Sequence, residues 1–105
     1  MIETTRFDAA EFLDTPERQA AYVTAALETG DLAFVRDALG LVARAQGMAG
    51  VAKAAKLNRE SLYKALGGAG NPELDTILRV VRALGLTLSA RPVVKKRGAK
   101  KRRAA

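Results

Sequence analysis

The sequence predicts an all-α domain of five helices, with short strands allowed at its two termini. The chain has 105 residues, which suits one small domain with a modest core. Nearly half of the residues are apolar but only five are aromatic, so Ala, Leu and Val must build that core. Segments rich in Ala favour helix, and apolar residues recur along them at helical spacing.

Composition excludes several classes of function. The sequence contains no Cys and no His, which excludes disulfides, zinc sites built on these residues, thiol nucleophiles and acid–base pairs containing His. The carboxylates at positions 8, 11, 14 and 17 have no accompanying nucleophile, so capping and solvent exposure explain them better than catalysis. No apolar run approaches the roughly 18 residues of a membrane span. We therefore expect a cytoplasmic protein that is not an enzyme and needs no cofactor or metal.

The charges divide the chain into two unlike parts. Residues 1–40 contain eight acidic and three basic residues, a net charge of −5. Residues 41–105 contain three acidic and fifteen basic residues, a net charge of +12, and the whole chain carries +7. The second part is therefore expected to face a polyanion, and the first part a different partner.

The first long helix is predicted over about 16–29. Thr15 or Asp14 is a suitable N-cap, Pro16 fits the first helical position, and Gly30 ends the helix. Its predicted inward residues are Ala20, Val23, Ala26 and Leu27.

Asp31 is the predicted N-cap of the second long helix, about 32–46. Its predicted inward residues are Leu32, Val35, Leu39 and Val42. Gly40 lies inside this helix, where glycine costs about 1 kcal/mol relative to alanine. We therefore expect a neighbouring helix to approach Gly40 closely, with a small-residue helix over 48–55 as the candidate.

A short helix–turn–helix is predicted between Gly47 and Gly68, with helices over about 48–55 and 59–66. The first helix is small and apolar, so a second helix can lie close across it, and Asn58 is well placed to cap that second helix. Lys56 lies in the turn, at a position that commonly takes a left-handed conformation. Two such helices are typical of a motif whose second helix enters the DNA major groove, although an ordinary helical hairpin has the same spacing.

The last helix is predicted over about 73–84 and ends at Gly85. Its predicted core residues are Leu74, Ile77, Leu78, Val81 and Leu84. Arg79 and Arg82 lie off this apolar stripe and are expected to be solvated.

The two ends of the domain carry weaker signals. Thr4–Phe7 allows a short strand, and Asp8 can cap a single helical turn that carries Phe12 and Leu13 toward the core. Leu86–Arg91 alternates with period two, which predicts a strand. An isolated strand is not stable, so it needs either the amino-terminal segment or a second subunit as its partner.

The carboxyl-terminal residues form a predicted tail. Residues 95–105 carry seven cations in eleven residues, so we expect a domain over 1–92 followed by a disordered basic tail over 93–105. The tail either serves only solubility or attaches the protein to nucleic acid through phosphate contacts that carry no sequence information.

Several segments of the sequence occur in the same order as in a known protein family. They are FDAAEFLDTPE, AALETGD, ALGLVARAQGM and NRESLYKALGGAGNPELDTILRVVRALGLTLS, and together they cover about residues 5–90. The chain resembles the HigA-like addiction-module antidote proteins, small antitoxins with a helix-turn-helix of the lambda-repressor/Cro type. It departs from the pattern at Lys56, where Gly is usual, and in its basic tail.

The resemblance implies a function and a set of partners. Such proteins bind double-stranded operator DNA in their own promoter, usually as homodimers, and so act as repressors associated with the nucleoid. They also neutralise a toxin similar to the HigB/RelE-type ribosome-dependent mRNA interferases, whose gene normally lies beside theirs. The acidic part of the chain is our candidate contact for a basic toxin, with Glu11, Asp14 and Glu17 as its test residues.

The resemblance also places the DNA contacts. The base-contacting positions of the Cro-like motif correspond to Arg59, Glu60 and Ser61, with Tyr63 and Lys64 further along the same face. We expect Arg59 to contact a guanine edge, while Glu60 either accepts from a cytosine amine or orients Arg59. The expected phosphate contacts are Asn58, Lys53, Lys56, Lys64 and Arg44.

Some alternatives stay open. Tyr63 can instead pack against the core edge, and Arg44 can simply interact with the end of its own helix. The rival functions are a stand-alone phage-type repressor with no toxin partner and a pure protein-interaction module.

Overall fold

The computed structural model describes residues 9–67 and 71–94. Six helices and no strand are found in this part of the chain. In chain order the helices are α1 (Ala9–Phe12), α2 (Pro16–Glu28), α3 (Leu32–Gln46), α4 (Met48–Ala55), α5 (Arg59–Leu66) and α6 (Leu74–Ala83). The all-α prediction is confirmed, and the helix added to the predicted five is the single turn α1. The predicted strand over Thr4–Phe7, its neighbour Asp8 and the tail over 95–105 lie outside the described residues.

The predicted caps start the helices where expected. The Thr15 hydroxyl oxygen accepts a hydrogen bond from the Arg18 N–H at 3.1 Å, so Thr15 rather than Asp14 is the N-cap of α2. The Asp31 carboxylate accepts from the Ala33 N–H at 3.0 Å and caps α3. These local bonds fix the helix starts because they satisfy amide donors that the helix itself leaves unpaired.

Helix α3 lies at the centre of the fold. It packs against α1, α2, α4 and α5, while α6 packs against α4. The apolar core, which this arrangement encloses, consists of Leu13, Val23, Ala26, Val35, Ala38, Leu39, Val42, Ala43, Val51, Ala52, Leu62, Leu66, Ile77, Val80, Val81 and Leu84. The small residues Ala38 and Ala43 are completely buried, which lets neighbouring helices approach α3 closely.

Several leucines predicted for the core are instead exposed. Leu27 and Leu32 flank the tight turn that joins α2 to α3, and both lie at the surface. Leu74 and Leu78 are exposed because α6 is rotated about its axis relative to the prediction, and Val80 takes their place in the buried stripe.

Two further expectations need correction. Leu13 is buried as predicted, but Phe12 is 56% exposed, and the guanidinium of Arg18 lies 5.0 Å above its ring. The helix that approaches Gly40 is α5 rather than α4, since a Cβ at Gly40 would lie 4.0 Å from the Leu66 Cβ.

The prediction of a strand over Leu86–Arg91 is wrong. Residues 86–94 have no regular secondary structure. Leu86 and Leu88 pack against the core as their alternation suggests, and the Arg91 guanidinium pairs with the carboxylate of Glu28 in α2. Alternation alone does not make a strand, because a strand also needs a partner for its backbone hydrogen bonds.

A pair of amide side chains joins four parts of the fold. The Gln46 amide donates to the Gln19 side-chain oxygen at 2.9 Å and to the Leu84 carbonyl at 2.8 Å. The buried Gln19 amide in turn donates to the Leu13 carbonyl at 3.0 Å. These bonds fix the ends of α3 and α6 relative to α2, and with them the position of the α4–α5 unit that follows α3.

Candidate nucleic-acid interface

Helices α4 and α5 have the boundaries predicted for the two short helices between Gly47 and Gly68. Val51, Ala52 and Ala55 of α4 are buried, and Leu62 and Leu66 of α5 are buried beside them. The opposite face of α5 is left to solvent. The same amphipathic pattern therefore attaches α5 to the core and exposes its polar residues.

The turn between the two helices contains a left-handed lysine. Lys56 has φ 62° and ψ 43°, and it alone among the described non-glycine residues has a positive φ. The Lys56 N–H donates to the Lys53 carbonyl at 3.1 Å, and the Leu57 N–H donates to the Ala52 carbonyl at 2.9 Å. This pair of bonds is a Schellman motif, which ends α4 and turns the chain toward α5.

Arg79 supports this turn from α6. Its guanidinium donates to the Lys56 carbonyl at 3.1 Å and lies 3.7 Å from the Asp75 carboxylate. Arg79 is predicted from the sequence only to be solvated, and the sequence pattern does not reveal this contact. The i, i+4 spacing of Asp75 and Arg79 was visible in the sequence, but the contact with Lys56 depends on the packing of α6 against α4.

Asn58 sets the start of α5. Its side-chain oxygen accepts from the Ser61 N–H at 2.7 Å, which confirms the predicted N-cap. Arg59 and Glu60 follow in the first turn and are exposed, while Ser61 is half-buried. The first turn of α5 therefore presents a cation, a carboxylate and a hydroxyl near the surface, together with the positive end of the helix dipole.

Tyr63 contacts Arg59 one turn along the helix. The Arg59 guanidinium donates to the Tyr63 hydroxyl at 3.4 Å, and its Cζ lies 5.8 Å from the centre of the Tyr63 ring. Tyr63 is 50% exposed, so it lies on the solvent face and not in the core. Within the described chain Glu60 makes no ion pair with Arg59. The aromatic ring is thus the neighbour that orients this guanidinium.

The remaining predicted contacts are exposed cations around this unit. Lys53 lies on α4, Lys56 in the turn and Lys64 in the last turn of α5, and all three are exposed. Arg44 is exposed in the last turn of α3, the helix that leads into α4. Eight of the nine predicted site residues therefore belong to the α4–α5 unit, and Arg44 lies on the preceding helix.

The comparisons with known proteins identify the family. Residues 3–92 match the model of a family described as probable addiction module antidote protein. The chain belongs to this family. As an antidote it has a cognate toxin as its partner, and antidotes of this kind are typically not enzymes.

A relative of the antidote supports this assignment. A protein of Haemophilus influenzae, described only as uncharacterized, is 41% identical over 80 residues, which cover 76% of this chain and 82% of the relative. No solved structure matches the antidote. In the described ranges, no helix is both long enough and apolar enough to cross a membrane, and no group of acidic residues is arranged to hold a metal ion.

Proposed function

We propose that this antidote is a sequence-specific DNA-binding antitoxin of a type II toxin–antitoxin module, which represses its own operon and neutralises a HigB/RelE-like mRNA-interferase toxin. One observation carries the DNA-binding part of the proposal. The first turn of α5 is capped by Asn58 and exposed, while Leu62 and Leu66 hold its other face to the core. A helix held in this way can place its amino-terminal side chains against base edges in the major groove.

The proposed roles follow from the chemistry of each side chain. Arg59 donates two hydrogen bonds to a guanine edge, and Tyr63 holds its guanidinium in position beforehand. Glu60 accepts from a cytosine amine, and Ser61 bonds either a base or a phosphate. The expected phosphate contacts are Lys53, Lys56, Lys64, Arg44 and the capping residue Asn58. Phosphate contacts position the protein on the duplex, while base contacts select the sequence.

The proposed assembly on DNA is a homodimer on a two-fold symmetric operator. Two copies of α5 would then enter successive major grooves, about 34 Å apart along the duplex. The basic tail over 93–105 adds affinity for any duplex without selecting a sequence.

The sequence specificity of Arg59 provides the test. We would measure fluorescence anisotropy with duplex from upstream of the antidote's own gene and with a scrambled duplex, at about 50 and 200 mM salt. Arg59→Ala should weaken binding to the native duplex by about 5- to 150-fold, because a bidentate contact contributes roughly 1–3 kcal/mol of discrimination. Binding to the scrambled duplex should change much less.

Arg82→Ala is the matched control, since Arg82 is an exposed cation in the last turn of α6. It should affect neither duplex strongly. Equal losses on both duplexes with Arg59→Ala would contradict the base-contacting role. Equal binding of the unmodified antidote to both duplexes, erased at the higher salt, would contradict sequence-specific repression.

A further inference from the structure

Three large apolar side chains are exposed close in sequence to the turn that joins α2 to α3. Leu27 in the last turn of α2 is 40% exposed, and Leu32 and Phe34 in the first turn of α3 are 45% and 46% exposed. A tight turn joins the two helices, with the Gly30 N–H donating to the Leu27 carbonyl at 3.1 Å. We call these three residues the apolar corner. Single exposed leucines are common on proteins, but three large apolar residues exposed within eight positions of the chain mark a candidate interaction surface.

The surroundings of the apolar corner are acidic. Glu28, Asp31 and Asp37 lie within or beside it and are exposed. Between residues 19 and 43 the sequence has a single cation, Arg36, which is only 5% exposed. Arg91 from residues 86–94 pairs with Glu28, so Asp31 and Asp37 carry the net negative charge of this surface. This part of the surface therefore combines apolar area with negative charge, and it suits a partner that combines apolar area with positive charge.

The apolar surface continues into a groove. Leu27 and Glu28 also line a cavity of about 670 Å³ between α2 and residues 86–94. Val93 and Val94 lie on the other side of this groove and are almost fully exposed. A partner segment that covers the apolar corner can thus extend along α2 and bury further apolar area.

We propose that the apolar corner, with its carboxylates and the adjoining groove, is the docking surface for the cognate toxin. This inference rests on the proposed neutralisation of an RNA-cleaving toxin. An enzyme that binds RNA must present a cationic surface to the phosphate backbone. The occupant is therefore a basic segment of the toxin with apolar side chains, and the antidote competes with RNA for the same positive charge.

The position of the corner leaves the DNA interface available. Helix α3 has 15 residues, so its two ends are about 21 Å apart. The apolar corner lies at the first end, and α4 and α5 follow the second end. Toxin and operator would then use different elements of the antidote.

The test measures toxin affinity by isothermal titration, using the full-length antidote and the toxin encoded beside its gene. Leu32→Ala and Phe34→Ala together should weaken binding at least about tenfold, since central apolar anchors carry most of the energy of an interface. Asp37→Lys should also weaken binding, and more strongly at low salt.

Matched controls come from α6. Leu74→Ala removes an apolar side chain that is 68% exposed, and Glu73→Lys reverses an exposed charge that makes no capping hydrogen bond. Both should change toxin affinity less than twofold. The corner variants should keep the melting temperature and operator affinity of the unmodified antidote, because they alter exposed residues at the far end of α3.

The outcomes separate the two proposals. An unmodified antidote that does not bind the toxin would overturn the proposed neutralisation itself. Full toxin binding by the corner variants would overturn the docking surface alone. Light scattering on the antidote without toxin gives a further check, since loss of a dimer in the corner variants with unchanged toxin affinity would assign this surface to a second copy of the chain.

Discussion

Replacing Lys56 with glycine should stabilise the fold and weaken DNA binding at the same time. Lys56 holds a left-handed backbone conformation with φ 62°. A residue with a side chain is destabilised by about 1–2 kcal/mol in that conformation, and glycine is not. Glycine also has more conformational freedom in the unfolded chain, which lowers the free energy of unfolding by about 0.5–1 kcal/mol.

The difference leaves a net stabilisation of about 0–1.5 kcal/mol for Lys56→Gly, with a middle value of about 0.75 kcal/mol. For a domain of this size, 1 kcal/mol corresponds to about 4–8 °C, so the middle value raises the melting temperature by roughly 3–6 °C. The hydrogen bonds of the turn use only the backbone N–H and carbonyl of Lys56, so they are kept in the variant.

Lys56→Ala is the matched control. It removes the same ammonium group but leaves a side chain in the left-handed conformation, so its melting temperature should not rise. In anisotropy measurements over a salt series, both variants should lose about one unit of salt slope, because each removes one phosphate contact.

The pair of variants separates the two causes. Equal melting temperatures for the glycine and alanine variants would refute the argument from backbone conformation. An unchanged salt slope in both would refute the phosphate contact of Lys56, whatever their stability.

Three further predictions concern other contacts. Arg79→Ala removes the hydrogen bond to the Lys56 carbonyl and should lower the free energy of unfolding by about 0.5–1.5 kcal/mol in a urea titration; a loss of the same size from Arg82→Ala would contradict the specific contact. Gln46→Ala breaks a part-buried amide network and should cost about 1–3 kcal/mol in the same assay, so an unchanged midpoint would show that the network adds nothing. Removal of residues 95–105 should weaken binding to native and scrambled duplex alike and flatten the salt slope; an unchanged slope would refute a DNA-binding tail.

Helix boundaries were predictable because short-range chemistry sets them. Thr15, Asp31 and Asn58 each accept a hydrogen bond from an amide two or three residues ahead. Such bonds depend on the order of residues and hardly on the rest of the fold. The same holds for Lys56, whose left-handed turn follows from the short linker between two helical patterns.

Features that depend on packing between helices were not predictable. The rotation of α6 that exposes Leu78 and buries Val80 is set by the neighbouring helices, and so is the contact of Arg79 with the turn. A buried stripe that contains Leu78 and one that contains Val80 both satisfy the helical period of α6. The sequence limits the choice to two adjacent faces, and only the surface of the neighbouring helices decides between them.

The leucines that were predicted for the core but are exposed indicate where a partner can bind. An apolar stripe at helical spacing predicts burial, but it does not say whether the covering surface belongs to the same chain or to a partner. Leu27 and Leu32 were expected inside, and the structure leaves them at the surface beside Glu28 and Asp31. A carboxylate cannot be buried without a cationic or hydrogen-bonding partner, so apolar residues set among carboxylates suit a basic partner better than the domain's own core. The charge around an apolar stripe thus helps to distinguish a core residue from a docking residue. At the start of α3 this charge favours contact with a basic toxin over burial in the domain's own core.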